Sequence, residues 1–169
     1  KRLWRRSNPS IVRLWKALSE ACITALKEKR SVRVNCPQNV RIEVCGNWLL
    51  LRLPSGRYLC YASPRVLDDA AGTWTYMGIH QRTRKWQRLE TYGGKVVENM
   101  IQGIAADVLT ASLSRLEVAG FHPVLSVHDE VLTECPDTDF YTHERMQRIM
   151  CEQLPWGKGL PLAAAGFDS

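Results

Sequence analysis

No apolar run in this sequence approaches the ~20 consecutive residues that a membrane-spanning helix requires. A secretory leader is missing too: the N-terminus is basic, but Ser7, Asn8 and Pro9 interrupt it before any apolar block. Together these absences predict a cytoplasmic protein without a membrane partner. Cysteine occurs at positions 22, 36, 45, 60, 135 and 151, yet no Cys-x-x-Cys pair or zinc-ligand spacing is found. A disulfide framework and a zinc finger are therefore disfavoured. Buried free thiols in a reducing compartment explain the cysteines better, with Cys22 on a helix and Cys60 on a strand. There is no internal repeat, low-complexity tract or flexible linker, so the 169 residues read as one domain, large enough to bury a core.

What is present is an ordinary globular composition, 45% hydrophobic, with a net charge of +6 that suits a polyanionic partner. The first helix is expected to start at Pro9 with Asn8 as its N-cap, since proline suits the first helical position. Its buried face is Val12, Trp15, Leu18, Cys22, Ala25 and Leu26. Lys27, Lys29 and Arg30 complement the dipole at its end. Before it, Arg2, Arg5 and Arg6 form a basic patch, either phosphate-binding or merely solvated. Strand-like runs follow at Val32 to Asn35, Val40 to Val44 and Trp48 to Leu53, then a Pro54-Ser55-Gly56 turn and a strand from Arg57 to Tyr61. The turn needs Gly56 at positive φ. Asp68 and Asp69 lie in a small polar loop, where turn chemistry competes with a metal role. Trp74 to His80 and Lys85 to Tyr92 form a ribbon whose Arg82, Arg84, Lys85 and Arg88 read as a solvated edge. Gly93-Gly94 opens a helix to about Ala119, with Val97, Met100, Ile101, Ile104, Val108 and Leu109 on its buried side. Gly120 ends it. Pro136 to Asp139 is expected to cap another helix reaching Cys151, before a turn from Pro155 to Gly159 and an extended segment from Leu160 to Phe167. Helices alternating with antiparallel hairpins indicate an α+β fold.

Two places carry chemistry. In Val124 to Glu134, β-prone runs flank His128, Asp129 and Glu130, which reads as a tight hairpin with all three at or beside the turn. A hairpin tip lifts carboxylates out of the core while fixing their backbone, and Mg²⁺ prefers such oxygens, shared with substrate phosphates. The simpler reading is that acidic residues favour turns. On the long helix, Lys95, Asn99, Gln102 and Ala106 recur at intervals of four, three and four, which makes one polar stripe. Asn and Gln amides can donate to the minor-groove acceptors common to all base pairs. A solvent-facing stripe is the alternative.

The order of these words narrows the choice. Thr91-Tyr92-Gly93-Gly94-Lys95, Glu98-Asn99, Gln102-Gly103-Ile104-Ala105-Ala106-Asp107 and His128-Asp129-Glu130 resemble the C-terminal palm region of family A DNA polymerases, particularly their phage-type branch. Trp4-Arg5-Arg6-Ser7-Asn8-Pro9, the Leu53-to-Arg57 hairpin and the tail from Leu154-Pro155-Trp156 to Gly166-Phe167 resemble that branch as well, so the matches span essentially the whole chain. The resemblance implies an antiparallel palm-type sheet with long packing helices, part of a right-hand polymerase. It divides the single domain into the end of the fingers (1–30), a β-rich insertion and ribbon (31–92) and palm (93–169). It implies nucleotidyl transfer onto primer–template DNA from deoxynucleotide triphosphates, with Mg²⁺. Asp129 matches the later of the family's two principal metal-binding aspartates, Glu130 the auxiliary acid beside it, and His128 a residue near the primer-terminal phosphate. Gln102 matches the minor-groove contact most directly, with Asn99 and Lys95 on the same helix.

The family's first aspartate motif and its nucleotide-gripping fingers helix are absent from the sequence. The chain is therefore expected to be a polymerase piece that begins just after that helix and is inactive alone. A split polymerase, a prophage remnant and an engineered piece all fit. Strands meant for the missing palm segment would leave an exposed edge, prone to self-association. Two alternatives remain open: a non-catalytic DNA-binding module, and a metal-dependent phosphohydrolase built on Asp129, Glu130 and Asp107.

Overall fold

The structure is a computed structural model and describes residues 2–34, 36 and 40–168, with contacts that divide the chain into two compact units, Lys1–Ile104 and Ala105–Ser169. Asn35, at the end of the expected first strand, lies outside the described residues. Among the described residues no helix is long and apolar enough to cross a membrane.

The first unit opens with a helix that sequence patterning did not anticipate, α1 (Arg2–Ser7), followed by α2 (Pro9–Glu28). Proline stands at the start of α2 and Asn8 at its N-cap position as expected, but the Asn8 side chain makes no capping hydrogen bond. Its side-chain amide donates instead to the Trp4 carbonyl at 2.9 Å, as does its backbone N–H at 3.0 Å. The unexpected α1 leaves carbonyls without partners at its own C-terminus, and Asn8 satisfies one of those. From the expected apolar stripe of α2, Leu18, Cys22, Ala25 and Leu26 are buried, joined by Ala21 and Ile23.

Six strands then form one antiparallel sheet in chain order: β1 (Val32–Arg33), β2 (Arg41–Cys45), β3 (Trp48–Arg52), β4 (Tyr58–Asp68), β5 (Thr73–Ile79) and β6 (Trp86–Tyr92). Register explains its covered face. Leu51 lies between Ile42 and Leu59, and Leu49 between Val44 and Tyr61, so alternate residues share one side. There they meet α2 and Val96, Val97 and Met100 of the following helix in a single core. Tyr61 packs edge-on against Trp74 and Tyr76, with ring centroids 5.1 and 5.0 Å apart. Strand β4 continues past Tyr61, where sequence patterning stopped it. Pro64 would end a regular strand, but it falls where the pairing shifts register between Ala62 and Arg65, and a bulge tolerates a missing N–H. The turn at Gly56 forms as expected, with φ +93° and the Leu53 N–H donating to the Arg57 carbonyl at 2.8 Å.

Helix α3 (Gly93–Val118) begins in the first unit and ends in the second. A Cβ on Gly93 would lie 2.0 Å from the Trp15 carbonyl oxygen, so only glycine lets α3 start against the backbone of α2. Val97 and Met100 are buried as expected, but Ile101 is 52% exposed and the fully buried Val96 replaces it. The helical period carries the buried face from Val96 and Met100 to Gly103, which sits against Leu53 and Leu59, and leaves Ile101 off that face. The thiols also need correction: all six cysteines are free, but Cys22 alone is fully buried, while Cys45 and Cys60 are exposed. Strand alternation turns Cys60 away from its buried neighbour Tyr61. Burial pushes the Cys22 thiol up to about 12, so it stays protonated.

In the second unit, α3 ends in a Schellman arrangement: Gly120, at φ +84°, donates to the Glu117 carbonyl, and Phe121 donates to that of Leu116, each at 3.0 Å. Strands β7 (Pro123–Val127) and β8 (Glu130–Thr133) form a separate hairpin. Helix α4 (His143–Met150) starts later than expected and is capped by Thr142, whose hydroxyl accepts from the Arg145 N–H at 3.3 Å, rather than by Pro136 to Asp139. The reason lies in packing. Tyr141 meets Phe121 edge-on at 5.3 Å, and the Arg145 guanidinium lies 3.5 Å from the Phe140 ring centroid, so both aromatics precede the helix. After a short 3₁₀ turn (Pro155–Gly157), the expected extended tail joins no strand.

Candidate functional site

The hairpin has the geometry that its sequence implies. Val127 pairs with Glu130, so His128 and Asp129 are the two loop residues and Glu130 opens β8. His128 has φ +57°, a conformation that glycine usually supplies at this place in a tight hairpin. Its strain is accommodated by the paired strands on either side. All three side chains are exposed. The two faces of the hairpin differ. Thr133 donates its hydroxyl to the Met146 sulfur of α4 at 3.8 Å, on the face that Val131 shares. On the other face stand Glu130 with Leu125, Val127 and Leu132, the last three 53, 47 and 56% exposed. The tip thus offers carboxylate oxygens to solvent beside an uncovered apolar surface.

Two adjacent carboxylates are hard donors of the kind Mg²⁺ takes, and they leave most of its sphere to water and phosphate. Among the described residues no group of three or more His, Cys, Asp or Glu is placed to hold a metal ion. Asp129 and Glu130 therefore fit as part of a ligand set, and the phosphohydrolase reading, which needs Asp107 beside them, has no clustered donors. The loop acids have structural work: Asp68 accepts from the Ala71 N–H at 3.0 Å, and Asp69 pairs with Lys27.

The helix stripe is partly tethered. Lys95 and Gln102, in the first unit, are exposed. Asn99 is half-buried, and its amide donates to the Tyr61 hydroxyl at 3.2 Å. Burial pushes that hydroxyl up to about 12, against the smaller lowering effect of the Asn99 hydrogen bond, so Tyr61 remains a neutral partner. One amide hydrogen of Asn99 is thereby committed, which leaves Gln102 the more accessible donor. In the second unit, Ala106 is exposed as well.

The basic ribbon shrinks. Arg88 turns inward across the sheet and donates to the Ser63 carbonyl at 2.9 Å and the Thr75 hydroxyl at 3.1 Å, so it is an internal brace and not a solvated edge. Arg57 donates to the Gly103 carbonyl at 2.8 Å, in the middle of α3. A cross-strand hydrogen-bonding partner opposite an Arg is not visible in linear sequence, because it depends on register.

No family model and no solved structure matches the chain. Over 167 residues, 97% of its length, the chain is 41% identical to the DNA polymerase of Bacillus phage SP02. It spans 25% of that protein. Nearly all of this chain is thus similar to one quarter of a phage DNA polymerase.

Proposed function

We propose that this chain serves template-directed DNA synthesis as the C-terminal fingers-and-palm part of a phage-type family A DNA polymerase. The observation that carries the reading is the 41% identity over nearly the whole chain to a phage DNA polymerase. The exposed His-Asp-Glu tip supports it, since the motif and its hairpin coincide. In this reading Asp129 anchors Mg²⁺ with Glu130 beside it, and the ion, when bound, offsets charge on the reacting phosphates. His128, held at the first loop position, faces the primer-terminal phosphate. Gln102 donates to minor-groove acceptors and sets the primer–template in register. The uncovered Leu125, Val127 and Leu132 face is where the remaining palm, or a second copy, would pack.

Primer extension tests this. The 169-residue chain alone is expected to incorporate no nucleotide at any Mg²⁺ or Mn²⁺ concentration. In the complete polymerase, Asp129→Asn should lower incorporation by orders of magnitude with DNA affinity nearly unchanged, because it keeps the shape but loses the ionic ligand. Glu130→Gln should be milder. Gln102→Ala should weaken primer–template binding with an unaltered melting curve. Equal extension by the complete enzyme and its Asp129→Asn variant would remove the hairpin from the active site.

One observation favours a second reading, a DNA-binding module without chemistry: Asp129 and Glu130 lack a third clustered donor among the described residues. Primer–template binding that ignores both Mg²⁺ and the Asp129→Asn substitution would select it.

A further inference from the structure

The positive charge of this chain is concentrated at one end. Lys1, Arg2, Arg5, Arg6, Arg13 and Lys16 all precede Glu20, the first acidic residue, and these six cations equal the net charge of +6. The other 17 of the 23 basic residues are balanced by the 17 acidic ones.

The fold then turns this basic segment back on itself. In an unbroken helix, Trp4 and Trp15 would lie roughly 16 Å apart at about 1.5 Å per residue. Their rings instead stack with centroids 5.6 Å apart and planes 16° from parallel, so the chain turns back before α2 and α1 packs against it. The same reversal brings the Arg5 guanidinium to 5.9 Å from the Trp15 ring centroid. Arg5, Arg6, Arg13 and Lys16 are exposed, and none is joined to a carboxylate among the described residues; Arg13 donates only to the Ser10 hydroxyl, at 3.0 Å. Later in the same unit some cations are paired, Lys27 to Asp69, Arg30 to Glu28 and Arg41 to Glu43. Trp4 remains 47% exposed beside these cations, and Leu3 78%.

Exposed, unpaired cations on two packed helices attract a polyanion, which releases its own counterions on binding. Charge alone would serve duplex and single strand alike. The half-exposed indole decides between them, because an unpaired base has a free face to stack on an aromatic ring. We propose that α1 and the first two turns of α2 bind single-stranded nucleic acid, with phosphates at Arg5, Arg6, Arg13 and Lys16 and a base stacked on Trp4. The surface uses none of Lys95, Asn99, Gln102, His128, Asp129 or Glu130, so it stands whether or not the polymerase reading does.

The experiment is fluorescence anisotropy of the 169-residue chain with a labelled oligothymidylate and with a duplex of equal length, across a salt series. A variant carrying Arg5→Gln, Arg6→Gln, Arg13→Gln and Lys16→Gln should lose about a hundredfold in single-strand affinity at low salt. Its log–log salt slope should flatten by about 3, near 0.7 for each phosphate contact removed. Replacing the three arginines by lysine should restore most of the binding. Trp4→Leu should weaken single-strand binding about tenfold and leave the duplex unchanged. Should the fourfold variant unfold, Arg6→Gln with Lys16→Gln gives the same readout at half the slope change. Wild-type affinity and slope in a folded neutralised variant would overturn the proposal. So would equal weakening of duplex and single strand by Trp4→Leu, or adsorption to phosphatidylserine vesicles without oligonucleotide binding. Gln102→Ala separates the two ideas: loss there with full binding by the neutralised variant keeps the minor-groove role and removes this surface.

Discussion

In the unit Lys1–Ile104, buried side chains from α2, strands β2 to β5 with flanking residues, and the start of α3 meet in one core. In Ala105–Ser169 the buried residues among those described are Leu116, Phe121, Leu154 and Ser112, while Leu125, Val127 and Leu132 stand about half exposed on the hairpin. The unit with the thick core carries the expected DNA-contacting side chains on its helix, and the unit with the thin core carries the acidic tip. Burial of apolar surface is the main source of stability, so the first unit should be the more stable of the two.

The largest expected effect breaks or confirms that contrast directly. Leu51 is fully buried, and Leu51→Ala should cost about 2–5 kcal/mol in urea unfolding. Leu132→Ala, on the uncovered hairpin face, should stay within about 0.5 kcal/mol. Similar costs for the two would mean that the hairpin face is covered in solution. Native-state hydrogen exchange should agree, with β3 and β4 amides the slowest and β7 and β8 amides much faster.

A smaller effect concerns association. The hairpin face should drive self-association at high micromolar concentration, seen by analytical ultracentrifugation. The pair Leu125→Ser and Leu132→Ser should shift the population toward monomer without lowering the melting temperature. A strictly monomeric wild-type chain would break this part of the comparison.

The smallest effect lies at the end of the second unit. His143 holds Asp168 through Nδ1 at 2.7 Å and faces Glu144 through Nε2 at 3.1 Å. The hydrogen bond to Asp168 raises the imidazole above its ordinary value of 6.5, with Glu144 adding to it. Raised in the folded chain, this group contributes fully below 6.5 and its contribution is lost as pH rises through the folded value. Glu144 runs the other way. Its own backbone N–H and the Thr142 hydroxyl lower it, so its contribution is present above 4.5 and lost as pH falls through the folded value. The tail should therefore be best held between roughly those two values and loosen first on the alkaline side. Amide chemical shifts of Phe167 and Asp168 followed from pH 5 to 9 would show it, and His143→Gln should flatten that titration.

Much of this was legible in the sequence because periodicity reports burial. The α2 stripe, the Gly56 turn, the span of α3, its Gly120 cap and the His128-Asp129 tip all come from local rules of helix, turn and hairpin. The misses share a cause. Asn8 takes the expected N-cap position, but its side chain turns back to α1, a six-residue helix with too little pattern to announce itself. The end of β4 was hidden by Pro64, which a bulge tolerates but linear pattern does not reveal. Arg88 looked like a solvated edge because its partners, Ser63 and Thr75, come from neighbouring strands.

What the sequence by itself determined is therefore local and chemical: an α+β alternation, a pair of carboxylates at a hairpin tip, a polar helix stripe, and cations massed before Glu20. Tertiary structure decided which of those groups remain free to act. Tyr61 takes up one donor of Asn99, the sheet takes in Arg88, the turn beside α2 takes Asp68 and Asp69, and Asp129 and Glu130 stay exposed. The reason is that a side chain's chemistry is set by its own atoms, whereas its availability depends on what long-range packing places within hydrogen-bonding distance.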